Sequence, residues 1–139
     1  MSHQRKKAMR GFTLVEMMVV VLVISILSGI AFTSYQRNVI ETRRRTATAC
    51  LVELAQFMER YYTTNLTYVG AAAPALQCRT DLSPFYTIAI AGTPTATAYS
   101  LTATPVGVQA SKDTRCGTLG MTQTGAKSAT GAGGVAECW

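Results

Sequence analysis

The chain has 139 residues, which suits one globular domain, with 48% hydrophobic and only 14% charged residues. Its formal net charge of +6 is mostly local, because four of the basic residues (Arg5, Lys6, Lys7 and Arg10) precede Gly11. Without residues 1–11, nine basic and seven acidic side chains leave +2, a balance that predicts no particular partner.

An apolar segment follows this basic start and runs from Phe12 to Phe32. As a helix, its 21 residues would be about 31 Å long, close to the thickness of a bilayer core. The segment fits a secretory signal that is cut after Ala31, or a retained transmembrane anchor. Basic residues lie on both sides and do not set an orientation. The four cysteines further along favour an oxidising compartment, which would place the C-terminal part outside the membrane.

A third interpretation comes from the sequence GFTLVE, Gly11 to Glu16, which stands between the basic leader and the apolar run. It resembles the cleavage and methylation motif of type IV prepilins, glycine-phenylalanine-threonine-leucine-X-glutamate. The resemblance implies that a prepilin peptidase removes residues 1–11 by cutting between Gly11 and Phe12 on the cytoplasmic side. Phe12 would become the N-methylated first residue of the mature protein, and the apolar segment would stay attached.

Glu16 is the one acidic residue in this apolar segment. A carboxylate at mid-membrane costs about 2.5–3.5 kcal/mol, but near a helix N-terminus the cost is lower because the helix dipole favours negative charge. Glu16 can therefore be interpreted as a first-turn acid of its own helix. The hypothesis that we favour is that Glu16 neutralises the Phe12 ammonium of a neighbouring subunit during assembly, where a dry environment strengthens the attraction.

The sequence after the apolar segment predicts an amphipathic helix from Gln36 to about Tyr62. Its apolar residues recur at spacings of three and four: Ala47, Cys50, Leu51, Leu54, Met58, Tyr61 and Tyr62. We therefore expect one long helix, with residues 12–32 in a membrane or filament core and residues 33–64 lying on a sheet. Residues 65–84 read as a connecting loop. Many pilins have a proline where this chain has Thr33, so whether the helix kinks there stays open.

Arg43, Arg44 and Arg45 are consecutive on the predicted helix and must point in three directions, so they cannot form one tight patch. A solvated helix surface or contacts with neighbouring subunits explain them best. DNA binding, as some minor pilins do in DNA uptake, is the less favoured interpretation, because no aromatic or basic residues are interleaved nearby.

Alternating apolar residues indicate a β-meander of three or four antiparallel strands within residues 85–139. The alternating residues are Tyr86, Ile88 and Ile90, then Tyr99, Leu101 and Ala103, then Leu119 and Met121. One face of this sheet is expected to pack on the helix and the other to face solvent. The tail after Gly125 is rich in glycine and by itself would be disordered.

The cysteines at positions 50, 78, 116 and 138 contain no CxxC pair, so two disulfides are favoured over a zinc site. Four unpaired buried thiols are the alternative. Spacing alone cannot choose among the three connectivities. We predict Cys50–Cys78 and Cys116–Cys138, because each bond would close a loop that has few other anchors.

The resemblance to type IV pilins extends over nearly the whole chain. The chain looks like the PilE-type minor pilins, on the sequence RRRTATACLVELAQFMERYYTTNLTY, then CRTDLSPFYTIAI, YSLTATP, CGTLGMTQTGAKS and the terminal CW. The resemblance implies an α+β fold in which a long N-terminal helix packs on an antiparallel sheet with a disulfide-bounded C-terminal loop. It also implies a low-abundance subunit that primes pilus assembly or enters the filament, and supports twitching motility, adhesion and surface attachment.

The implied partners are other pilins, the prepilin peptidase and an inner-membrane assembly platform. The chain would sit in the inner membrane with its C-terminal domain in the periplasm, and after assembly in an extracellular pilus. A type II secretion pseudopilin, which shares the processing motif, is the alternative within this architecture. A DNA-binding uptake receptor and a signal-cleaved secreted domain are alternatives of other classes.

Catalysis is not expected from this sequence. The one histidine, His3, lies in the leader, and no GxSxG, P-loop or HExxH motif occurs. Glu53 and Glu59 lie six residues apart, nearly opposite each other on the helix, and are best interpreted as solvated acids. We find no metal-ligand cluster and no cofactor motif.

Overall fold

The computed structural model describes residues 11–139, which form two compact units that divide after Arg37. One helix, α1 (Leu14–Asn65), contributes to both. In the first unit, the side chains from Gly11 to Arg37 are exposed. The hydroxyl of Ser25 donates to the carbonyl of Val21 at 2.7 Å, so this polar group is satisfied within its own helix. Thr33 bonds the Gly29 carbonyl in the same way at 3.3 Å, and α1 continues through it.

The second unit contains a four-stranded antiparallel sheet in the order β1-β2-β3-β4. The strands are β1 (Tyr86–Ile90), β2 (Ser100–Pro105), β3 (Leu119–Thr122) and β4 (Lys127–Ala129). In the register, Ile88 of β1 lies opposite Ala103 of β2, and Leu101 lies opposite Met121 of β3. The predicted meander is confirmed, with four strands.

The core lies between one face of α1 and one face of the sheet. The helix contributes Ala47, Cys50, Leu51, Leu54 and Met58, and the sheet contributes Tyr86, Ile88, Leu101, Ala103 and Leu119. These are the positions that the spacings of three and four and the strand alternation predicted. Tyr61 and Tyr62 are only half-buried, because α1 is then approaching its end at Asn65. The α+β pilin fold expected from the sequence is confirmed.

Three short helices were not predicted. They are α2 (Gln77–Leu82), inside the segment read as a loop, α3 (Gly107–Lys112), between β2 and β3, and α4 (Gly134–Cys138), in the tail. Each has five or six residues, which is too short to show a helical period or to form without packing. The tail is not left as a coil, because β4 pairs with β3 and α4 carries Cys138.

Two disulfides tie these elements together. Cys50 of α1 bonds Cys78 of α2, and Cys116 bonds Cys138 of α4. These are the pairs that the sequence analysis chose. The first fastens α2 to the C-terminal half of α1, and the second closes the C-terminal loop across a separation of 22 residues.

Replacing Cys116 and Cys138 together by serine is expected to lower the free energy of unfolding by about 2–5 kcal/mol, since the crosslink restricts the unfolded chain. Urea denaturation of the full chain in mild detergent measures the loss. Ser128→Ala, an exposed change in the same loop, is the control and should stay within about 0.5 kcal/mol of wild type. Equal stability of the double variant and the control would contradict the expectation.

Candidate functional site

The segment from Gly11 to Glu16 forms the start of the long helix. The Glu16 backbone N–H donates to the Thr13 hydroxyl at 3.2 Å, which is the bond of an N-cap residue to the third residue of its helix. Threonine at the cap with glutamate three residues later is the capping-box pattern. Phe12 lies just before this cap and is 78% exposed. Residues 1–10 of the predicted leader (residues 1–11) lie outside the described residues.

The apolar part of α1 presents its side chains to the surroundings along its whole length. Among these are Leu14, Leu22, Ile26 and Ile30, each more than half exposed. By length and composition this helix could cross a membrane. An apolar surface of this extent is unfavourable in water and calls for lipid or other apolar helices around it.

The three consecutive arginines point in three directions, as predicted, and make three different contacts. The Arg43 guanidinium stacks 3.6 Å from the centroid of the Phe85 ring. Arg44 forms a 2.7 Å ion pair with the carboxylate of Asp113, and Arg45 pairs with Glu41 one turn earlier in α1. Two of the three cations are therefore neutralised within the domain.

A buried polar network surrounds Asp113. One carboxylate oxygen accepts from Arg44, and the other accepts from the Tyr86 hydroxyl at 3.0 Å and from the Gln109 amide at 3.2 Å. The same Gln109 amide nitrogen lies 3.1 Å from the backbone carbonyl of Ile40. Burial, together with the nearby negative charge of Asp113, raises the pKa of Tyr86 above its ordinary value. The network joins α3 to β1 and to α1.

Sequence reasoning missed this network. Asp113 lies 69 residues from Arg44, and Gln109 lies the same distance from Ile40. The sequence around Gln109 and Asp113 does not predict that they are buried, because two polar residues four positions apart are common on exposed helices. Only the packing of α3 against α1 brings these side chains together.

A cluster of tyrosines packs near the C-terminal end of α1. The hydroxyls of Tyr68 and Tyr99 each donate to the Glu59 carboxylate at 3.0 Å, and the rings of Tyr68 and Tyr99 meet edge to face at 4.8 Å. Glu59 is exposed but is not merely solvated, which corrects the sequence interpretation. Burial, followed by the hydrogen bond to Glu59, raises the pKa of Tyr68 and of Tyr99.

These shifts predict a loss of stability in alkali. A raised pKa means that the folded state keeps a proton that the unfolded state releases near pH 10, so the stabilisation is complete below about pH 10 and falls as the pH rises. Urea denaturation at about pH 8 and about pH 11 measures the fall. Tyr99→Phe removes one ionising group and should show a smaller fall than wild type; an equal fall would argue against a raised pKa at Tyr99.

The C-terminal loop is built on close backbone contacts. Gly131 donates to the Cys116 carbonyl at 2.9 Å, and Gly133 donates to the Arg115 carbonyl at 2.8 Å. A Cβ at Gly131 would collide with the Arg115 backbone, which explains a glycine in this tail. The indole nitrogen of the last residue, Trp139, donates to the Ser128 carbonyl at 2.9 Å.

A basic side chain stacks on this terminal ring. The Lys127 ammonium lies 5.0 Å from the centroid of the Trp139 ring, a cation–π contact, and Lys127 is exposed. Arg115 on the same loop pairs with Glu137. Among residues 11–139, no group of three or more histidine, cysteine, aspartate or glutamate side chains could hold a metal ion.

Helix α1 is capped and apolar at its start, and its C-terminal half packs on the sheet. Together with the disulfide-bounded C-terminal loop, these features define the class of type IV pilins. Comparison with family models agrees. Residues 6–32 match the prokaryotic N-terminal methylation motif, and residues 33–120 match the family described as type IV minor pilin ComP, DNA uptake sequence receptor. The chain belongs to this minor pilin family.

A solved structure supports the same assignment. The chain is similar to a type IV pilin from Shewanella oneidensis, with 29% sequence identity and a TM-score of 0.54. The likeness covers 72% of this chain and 97% of that one. Comparison with curated proteins gave no match. Pilin families consist of structural, non-enzymatic subunits, and the N-terminal methylation motif implies contact with other pilins and with a prepilin peptidase.

Proposed function

We propose that the chain is a filament subunit that waits in the inner membrane and then moves into a pilus. Residues 12–32 would hold it in the bilayer with residues 38–139 in the periplasm. The observation that carries this proposal is the exposure of the apolar part of α1. Passage from lipid into a bundle of similar helices would keep that surface out of water throughout, so extraction would not incur the cost of hydrating it.

Processing would create the charge that guides this transfer. Cleavage between Gly11 and Phe12 frees an amine at Phe12, which is then methylated and stays cationic. The cap at Thr13 holds Glu16 in the first turn of the helix, four residues after Phe12. The backbone of Glu16 is therefore fixed in helical geometry. In this proposal Glu16 would meet the amine of an adjacent subunit and so set the axial register of the two helices.

Mass spectrometry of the mature N-terminus tests the proposal. We expect the cellular protein to begin at N-methyl-Phe12. Gly11→Val should block cleavage and leave residues 1–11 attached, because the peptidase must bring its catalytic groups against this peptide bond. A mature start at Phe32, or filaments that contain the uncut chain, would overturn the proposal.

The location of the assembled protein separates a pilus from a secretion complex. Recovery in filaments sheared from the cell surface supports a pilus subunit, with twitching motility, adhesion and surface attachment as the functions to assay in a deletion strain. Confinement to a periplasmic secretion complex supports the pseudopilin alternative. The disulfide-closed C-terminal loop favours the pilus.

A second candidate function is DNA binding during uptake, which the description of the matched family favours. The arginine run is a poor site, because Arg44 and Arg45 are neutralised by internal acids. The stacked pair of Lys127 and Trp139 is a better one, since Lys127 pairs with no acid within residues 11–139 and an aromatic ring beside a cation suits a base next to its phosphate.

A salt-dependent DNA-binding assay on the full chain tests this candidate. Lys127→Ala should weaken binding and reduce the slope of log K against log salt by about 1, because one phosphate contact is lost. Arg60→Ala, which removes an exposed cation of α1 outside this surface, is the control and should leave the slope unchanged. Binding that is absent, or that is insensitive to salt, would reject DNA uptake as the role of this surface.

A further inference from the structure

One end of the second unit carries an apolar surface with two cations, which we call the end patch: Arg43, Pro84, Phe85, Val108 and Lys112. Its parts are joined closely. The backbone of Val106 donates to the Phe85 carbonyl at 2.9 Å, and the neighbouring Gly107 lies against the carbonyl of Pro84. The amide of Gln109 reaches Ile40, so the patch lies beside the first turns that α1 contributes to this unit.

The end patch is apolar and accessible. Val108 is 61% exposed, and Pro84 is also exposed. Lys112 follows Val108 by four residues in α3, so the two side chains share one helix face. This face differs from the one that carries Gln109, which is buried together with Asp113 just after the helix. An exposed valine beside a lysine with a long flexible stem is an arrangement that suits a boundary between water and an apolar phase.

The two cations of the end patch are not neutralised by the acids around them. Among the described residues, Glu41 pairs with Arg45 and Asp113 pairs with Arg44. The remaining acid nearby in sequence, Asp81, accepts a hydrogen bond from Gln77 in α2. Arg43 stacks on an aromatic ring, and within residues 11–139 neither Arg43 nor Lys112 forms a salt bridge.

We propose that the end patch binds the surface of an anionic bilayer before assembly, with Val108 and Pro84 among the headgroups and Arg43 and Lys112 on lipid phosphates. The inference rests on the proposed membrane anchor.

The distance of the end patch from this anchor is limited by the chain between them. Ile40 follows Phe32 by eight residues, which span at most about 29 Å even when fully extended. So short a tether keeps the patch near the bilayer and raises its effective concentration there. Entry into a filament would require this contact to be released.

Lysine labelling of the full chain in vesicles tests the proposal. The protein is reconstituted into phosphatidylcholine alone, or into equal parts of phosphatidylcholine and phosphatidylglycerol, and treated with a membrane-impermeant acylating reagent. Mass spectrometry then gives the labelling of Lys112 relative to Lys127. This ratio does not depend on the orientation of the inserted chains, because both lysines belong to the same unit.

We expect the relative labelling of Lys112 to fall by about five-fold in the anionic vesicles, given roughly 1 kcal/mol for a basic residue near such a surface. High salt should abolish the difference. Val108→Asp should restore labelling, whereas Val135→Asp, a matched change at an exposed valine of α4, should not. A ratio that is equal in both vesicles would overturn the proposal.

Flotation of the same vesicles separates this inference from the anchor on which it rests. A chain that floats with both vesicle types but shows equal Lys112 labelling keeps the anchor and loses the end-patch contact. A chain that fails to float overturns both. Protection of Lys112 by added duplex DNA in neutral vesicles, with none from anionic lipid, would assign the patch to nucleic acid and overturn lipid binding.

Discussion

Glu16→Gln is expected to reduce entry of the chain into filaments by at least about ten-fold, because a unit-charge pair at 4 Å is worth about 4 kcal/mol even at an effective dielectric constant of 20. Glutamine has nearly the shape of glutamate and lacks only the charge. The measurement is the amount of the variant in sheared filaments relative to the amount in whole cells. Glu16→Ala should show a loss of similar size.

The glutamine variant distinguishes charge pairing from helix capping. Thr13 caps the helix and Glu16 stands at the third position, where glutamine completes a capping box as well as glutamate does. If Glu16→Gln enters filaments like wild type while Glu16→Ala does not, capping explains the residue and the proposed pairing with Phe12 is wrong. Glu53→Gln, an exposed acid on the packed half of α1, is the control and should have no effect.

Arg44→Ala is expected to destabilise the second unit by about 3–5 kcal/mol, because removing one partner of a buried ion pair leaves the other charge buried without compensation. The side chain of Asp113 is 3% exposed, and that of Arg44 is 15% exposed. Urea denaturation of the full chain in mild detergent, followed by near-ultraviolet circular dichroism, measures the loss.

Arg45→Ala is the matched control for this experiment. It makes the same substitution one residue later in the same helix, so the change in helix propensity is equal. Its pair with Glu41 is exposed and lies within one turn, and such pairs contribute about 0.3–0.5 kcal/mol. Equal losses in the two variants would mean that the Asp113 network does not stabilise the fold.

The elements that the sequence predicted well are those with a repeated pattern. The buried face of α1 follows spacings of three and four, and each long strand alternates, since burial on one side imposes these periods on side chains. The short helices α2, α3 and α4 carry no such signal. They form because α1 and the sheet are already packed, and two of them, α2 and α4, are also held by a disulfide.

The contacts of the three arginines show the same limit. Their different directions follow from the helical repeat alone. Which one is buried, which stacks on Phe85 and which stays exposed depends on the elements that pack against α1. The stacked Lys127 and Trp139 were likewise not predicted, because the loop that brings them together is held by a disulfide and by backbone contacts of glycine.

By itself, the sequence determined the class of this protein. The apolar helix, the GFTLVE motif, and the buried positions of α1 and of each long strand all depend on residues close together in the chain. The tertiary structure alone decided which arginine is neutralised by an acid far away in the chain. An ion pair between residues 69 apart, such as Arg44 and Asp113, forms only when packing has removed water and brought two distant segments within 2.7 Å. No local pattern encodes such a distance.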